Sequence, residues 1–258
     1  VTIVAVVGDA TTTTAVAFAS AWPDDGAVVL EADRAGGSLA AWLDTPTHPT
    51  LATIVATAGS SENHHEVMAT VDAMTHHSAT GVRFVSNAPR GRAANLAVGE
   101  APFSVLPAMS SSERTFIADT GRHRGGDSLS PVVIAGDAVV IVHRQAAASA
   151  AAASVRIERL IETVEDIAHT ATTIVLAVIG HTPFDLAELS DFVDAAVPDS
   201  IASSVGLADD PLAAFTIAGR TGVSARRLRR LPLMRDAAEA ASMIDGLLTH
   251  PNRIAAHR

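Results

Sequence analysis

The sequence contains no cysteine and, because each of its 18 basic side chains is arginine, no lysine. Without thiols there is no disulfide framework, no thiolate zinc site and no cysteine nucleophile, and a reducing compartment suits the chain, so the cytoplasm is the expected location. Without lysine, every side-chain cation except a protonated histidine is a planar guanidinium. Positive charge is scarce altogether, since 28 acidic residues leave a formal net charge of -10, which argues against a surface coated for nucleic acid. No apolar run approaches a membrane span; Val1 to Val7 is too short, and lacks the basic flank, for a signal peptide, and it reads as a strand. Internal repeats are absent, and the only biased tract is the Ala/Ser run after Gln145.

What is present is an α/β pattern. The 258 residues are 48% hydrophobic, enough for one large core, and a single domain spanning residues 1–258 is expected. Short β-branched runs, at Thr2 to Val7, Ala27 to Glu31, Val82 to Ser86, Thr115 to Ala118, Ala138 to Val142 and Thr173 to Ile179, alternate with helical patterns. The alternation predicts a doubly wound, mainly parallel sheet with helices on both faces, and the near-continuous apolarity of the runs fits strands covered on both sides. The clearest helix is Ser149 to His169, with Ile157, Leu160, Ile161, Val164 and Ile167 on one face and Arg156, Glu158, Arg159, Glu162 and Glu165 on the other. A second follows Pro232, with Met234, Ala237, Ala238, Ala241 and Ile244 at helical spacing. Pro46 to Glu113 is weaker in pattern, with loop signals at Gly59-Ser60-Ser61 and Ala88-Pro89-Arg90-Gly91.

The first strand runs into VVGDATTTTAVAFASAW (Val6 to Trp22), a glycine and a threonine cluster opening a helix, and the second ends in VVLEADRAGGSLAAWL (Val28 to Leu43). Two further segments follow in order, FIADTGRH (Phe116 to His123) and AGDAVVIVHRQAAASAAAASVRIERLIE (Ala135 to Glu162). Together these resemble the MinD/ParA branch of the P-loop ATPases, a deviant Walker A group, and near the C-terminus GLADDPLAAFTIAGR and LRRLPLMRDAAEAA are similar to actinobacterial MinD-like proteins related to CpaE and TadZ. The resemblance implies a P-loop NTPase-like fold in which Gly8, Asp9, Ala10, Thr11, Thr12 and Thr13 stand where a phosphate cradle would be. It also implies Thr12 or Thr13 as the Mg²⁺-binding hydroxyl, Asp33 as the acid that helps place water, Asp119 as the acid near Mg²⁺, and Glu31 in a further acidic position.

The departures matter as much. The G-x-x-x-x-G-K-[ST] pattern is not kept: Thr11 falls where the phosphate-binding lysine belongs, Gly8 is the loop's only glycine, and Asp9 brings negative charge beside the expected phosphate. Phosphoryl transfer needs positive charge against the developing γ-phosphate charge, so the loss should raise the barrier by roughly several kcal/mol. Arg34, Arg122 and Arg124 lie near the expected loops, yet none is in the loop itself. The resemblance thus points to a pseudo-ATPase serving as a regulatory or localisation scaffold, a homodimer with protein partners of a pilus or secretion system, with no cofactor expected. The alternatives are a slow ATPase using ATP or ADP with Mg²⁺, and a partition-type protein binding nucleic acid.

Other residues admit plainer readings. Gly8 to Thr14 is also an ordinary strand-to-helix turn with Asp9 or Thr11 as N-cap. Were one helix to join them, His65 and His76 would stand about 16 Å apart, too far for one metal ion, and a solvated surface is expected. His123 with Asp119 or Asp127 forms no hydrolase pair without a nucleophile elbow. Arg226, Arg227, Arg229 and Arg230 form the dense basic cluster, expected to be exposed and available to nucleic acid, an anionic membrane at its inner face or an acidic partner.

Overall fold

The apolar runs become strands because each is buried on both faces. The structure, a computed structural model, describes residues 2–23, 26–59, 61–125, 127–145, 149–171 and 173–250. Val1, Ser60 and residues 146–148 of the Ala/Ser run lie outside the described residues. The strands are β1 (Thr2–Gly8), β2 (Val28–Glu31), β3 (His76–His77), β4 (Arg83–Val85), β5 (Thr115–Asp119), β6 (Ala138–Arg144), β7 (Ile174–Ile179) and β8 (Ser203–Leu207). They form an eight-stranded sheet in the order β3-β4-β2-β5-β1-β6-β7-β8, parallel throughout except for the antiparallel pair of β3 with β4.

The first helix, α1 (Thr11–Ala21), follows β1 directly; α2 (Leu39–Trp42), α3 (Leu51–Ala58) and α4 (His64–Ala73) lie between β2 and β3. Next come α5 (Gly91–Ser104) and α6 (Leu106–Ser111), then α7 (Pro131–Ile134) before β6 and α8 (Ala150–Ala168) after it. The chain closes with α9 (Leu186–Ala196), α10 (Pro211–Ile217), α11 (Ala225–Leu228) and α12 (Pro232–Thr249).

Period-two alternation sorts the core into layers. Val4, Val6, Ile117, Val140 and Val142 face one side, where Val16 and Phe18 of α1 and Ala237, Ala241 and Ile244 of α12 pack on them. On the opposite side Ile3, Leu30, Phe116 and Ala118 meet α3 to α6, whereas Ala5, Val7, Val139 and Ile141 meet Leu160, Val164 and Ile167 of α8. The doubly wound expectation therefore holds, with β1 contributing Ile3 to one helical group of the second face and Ala5 and Val7 to the other.

Two strands escape the sequence pattern. In β8 the run SSVGL has too little apolar content to stand out, because an edge strand is half-exposed along most of its length. The weak segment from Pro46 to Glu113 holds short helices together with β3 and β4, and Asn63 caps α4 by accepting from the N–H groups of His65 and Glu66. No helix connects the two histidine pairs: His64 opens α4, while His76 lies in β3, stacked on Phe84 with its Nε2 2.7 Å from the Pro49 carbonyl. The described residues include no cluster of three or more His, Asp or Glu able to hold a metal ion.

Candidate functional site

The site grows from the end of β1. Gly8 closes that strand at φ 114, and a Cβ there would fall 2.3 Å from the Val142 carbonyl oxygen of β6, so only glycine lets the two strands close up while the chain turns. The Gly8 N–H donates to the Gly121 carbonyl (3.1 Å) and the Asp9 N–H to the Val142 carbonyl (2.8 Å), so both are already satisfied within the chain. Ala10, at φ 49, is the N-cap of α1 and no side chain caps that helix. The expected cap by Asp9 or Thr11 is thus corrected: Asp9 turns toward β6 and α8, and Thr11 has already entered the helix. The first-turn N–H groups of α1 keep the partial positive charge of an uncapped helix start.

Behind that turn stands Asp119, the last residue of β5, buried at 1% exposure. Thr12 donates from Oγ1 to its Oδ2 at 2.6 Å and the Gly121 N–H to its Oδ1 at 3.2 Å. Burial raises the Asp119 carboxyl above its ordinary value; hydrogen bonds from Thr11, Thr12 and Gly121 oppose that rise and the Asp33 charge adds to it. Asp33 sits on the other side of Gly121, accepting the Ala35 N–H at 2.8 Å. A Cβ on Gly121, at φ 70, would fall 2.5 Å from the Asp33 carboxyl carbon, so that glycine lets the two acidic loops touch.

Glu31 does something else. Its Oε1 accepts the N–H groups of Ser38 and Leu39 at 2.6 and 2.7 Å, and its Oε2 accepts that of Asn87 at 2.8 Å. Burial raises this carboxyl too, against the pull of those three N–H groups. It ties the loop after β2 to the loop after β4 and does not line the cleft.

The cleft itself encloses about 900 Å³. Gly8, Ala10, Thr11, Thr12 and Thr13 line it with Asp33, and Arg34, Arg92, Arg122 and Arg124 bring guanidinium groups to its wall. Arg34 crosses between flanking elements, donating to Asn95 Oδ1 of α5 at 2.6 Å and to the Ser128 carbonyl at 3.2 Å. Asp9 is not part of this wall. It lies in a neighbouring cleft, where its Oδ2 receives Arg156 of α8 at 2.7 Å and the Arg144 N–H at 3.3 Å, with Arg122 3.8 Å from its Oδ1. The expected repulsion by Asp9 is corrected accordingly, because this carboxylate is already matched by cations and faces away from the threonines. His123 pairs with neither Asp119 nor Asp127 but with Asp166 of α8, at 2.8 Å.

The structure brings Gly8, Thr12, Asp33 and Asp119 near one another, as the sequence suggested, and adds Arg156, which sequence reasoning missed and whose partner is 147 residues away in the chain. The fold brings the arginine from behind the loop, where no local pattern points. Arg226, Arg227, Arg229 and Arg230 are exposed as expected around the buried Leu228 of α11. No helix among the described residues is long and apolar enough to cross a membrane.

No protein-family model matches the chain, and no curated protein matches it. Solved structures do share its fold. A ParA family ATPase from Chlorobium tepidum superposes with a TM-score of 0.65 at 17% identity, over 93% of this chain and 98% of that one. The MinD cell division protein of Aquifex aeolicus gives 0.60 at 11% identity, over 95% and 97%. Cobyrinic acid a,c-diamide synthase from Mycobacterium smegmatis, solved with an ATP analogue and magnesium, gives 0.54 at 15% identity over 98% of both chains. The chain therefore has the α/β P-loop NTPase fold of the ParA and MinD ATPases.

Proposed function

We propose that residues 1–258 form one MinD/ParA-like pseudo-ATPase domain that acts as a dimeric regulatory or localisation scaffold in the cytoplasm. The observation carrying this reading is that the turn uses two of its N–H groups within the chain and holds no cation. Gly8 and Asp9 spend their N–H groups on Gly121 and Val142, and Arg156 reaches in from behind, its Nη2 donating to Asp9 and to the Arg144 carbonyl at 2.6 Å. A triphosphate would have to displace these partners with no lysine in return. The donors fit a divalent ion better than they fit the nucleotide: Thr12 and Asp119 are a hydroxyl and a carboxylate 2.6 Å apart, a pair that suits Mg²⁺. The triphosphate's own cradle does not fit, and no hydrolytic step follows from this site.

That hydroxyl–carboxylate pair is also what favours the second reading, a slow Mg²⁺-dependent ATPase with a borrowed arginine from the cleft wall. Isothermal titration with ATP and ADP in the presence of Mg²⁺, paired with a phosphate-release assay, separates the two. Weak or absent binding and no release are expected. Steady turnover abolished by Asp119→Ala would establish the ATPase instead. The exposed Arg226 to Arg230 cluster supports contact with an anionic partner, and salt-sensitive retention on DNA would favour the partition-type reading.

A further inference from the structure

The cleft that holds Asp9 is a site in its own right. It encloses about 540 Å³ between β6, α8 and the 121–125 loop. His143 forms its floor, on the same face of β6 as Ile141 by period-two alternation. The imidazole is 7% exposed and makes no hydrogen bond or ion pair with another described residue, although it lies at the floor of a space a small molecule could enter. Its ring nitrogens are not among the fully enclosed polar atoms that lack a partner, so they keep access to the cleft. Arg156 brings an unmet donor, for its Nε is buried without a partner.

The walls carry four arginines, Arg122, Arg124, Arg156 and Arg159, against the carboxylates of Asp9 and Glu162. In a chain of net charge -10 this is a local excess of positive charge. Arg159 is spaced one turn from Arg156 on α8, and its guanidinium forms no ion pair with the described residues. Ile141 and Leu160 make one end of the cleft apolar. We propose that this cleft binds a small phosphate monoester, its dianionic group held by Arg156, Arg159 and a ring N–H of His143, and its organic part against Ile141 and Leu160. Guanidinium forks match phosphate oxygens two at a time, and a neutral imidazole contributes one further donor. The proposal is independent of nucleotide binding at the threonine turn.

The test is titration of glycerol 3-phosphate into the intact chain in chloride buffer, followed by calorimetry and by NMR of the histidine ring nitrogens, with glycerol as the control. Saturable binding that shifts the His143 ring signals is expected, with affinity falling about tenfold in Arg159→Gln, the loss of one charge-assisted bond. Because Arg159 is exposed, that variant should fold as the parent does. Thr12→Val, which alters the neighbouring cleft, should leave the affinity unchanged. No saturable binding, or binding lost in Thr12→Val and retained in Arg159→Gln with His143 unshifted, would overturn the proposal.

Discussion

Two clefts meet at Gly8 and share Arg122 and Arg124, but they differ in what else they present. The one in front holds threonine hydroxyls, an uncapped helix start and the carboxylate of Asp33, with Arg34 and Arg92 on its wall; the one behind holds Arg156, Arg159, a neutral histidine and the carboxylates of Asp9 and Glu162. The turn itself carries no cation, whereas Arg156 of the helix behind it is held by an internal anion, Asp9. The lesson is that the turn cannot be judged from its own residues alone. Its surroundings form bonds of their own, and any substitution that adds a cation there must contend with them.

The largest effect expected is at the wall the clefts share. Gly8→Ala forces a Cβ into the Val142 carbonyl and requires φ 114 of an L side chain, so stability should fall by more than about 3 kcal/mol in urea unfolding. A near-neutral result would mean that β1 and β6 are not in such close contact. Next is Arg156→Ala, which strips Asp9 of its shortest ionic partner and should cost roughly 1.5–3 kcal/mol, the range for hydrogen bonds to charged groups. If the two clefts are electrically separate, the same variant should leave ATP affinity unchanged.

Smaller, but sharper for the comparison, is Thr11→Lys alone. Because Asp9 is already neutralised from behind, a lysine in front should raise ATP affinity by at least about tenfold without any change at Asp9. A gain that appears only when Asp9→Gly is added would show that Asp9 still acts on the front cleft. The smallest effect concerns pH. Burial lowers the His143 pKa, with the Arg156 charge acting in the same direction and Asp9 opposing. As pH falls below the ordinary imidazole value of about 6.5, the unfolded chain gains a proton that the folded chain refuses, so stability declines until the lowered folded value is passed. Glu31 and Asp119, both raised, act in the opposite sense, losing stability as pH rises from the ordinary carboxylate range toward their folded values. Melting curves across mildly acidic pH should therefore show the parent losing stability relative to His143→Gln as pH falls; an unchanged difference would mean the histidine is not the titrating group.

Much of the fold was legible because burial on both faces leaves an unmistakable mark, as in IVAVV of β1 or IVLAVI of β7. Where a strand is an edge, as in β8, or only two residues long, as in β3, that mark is missing. The site was legible on the strand ends, since Asp119 and Asp33 follow apolar runs and Thr12 follows the first turn. Arg156 was not, because on α8 it is one of several charged residues on a solvated face, and only the curvature of the chain back past β6 brings it to Asp9. The histidine floor was hidden for the same reason: an alternating strand gives His143 a side of the sheet but not the helix above it.

Glu31 has a mechanical consequence. A single buried carboxylate gathers three N–H groups from two loops that leave different strands, so neither loop can lift without stranding a buried charge or an unmet donor. The segments following β2 and β4 are in effect one moving part, pinned at Glu31, and because Arg34 and Asp33 ride on it, the acidic and basic groups they bring to the front cleft must advance or retreat together.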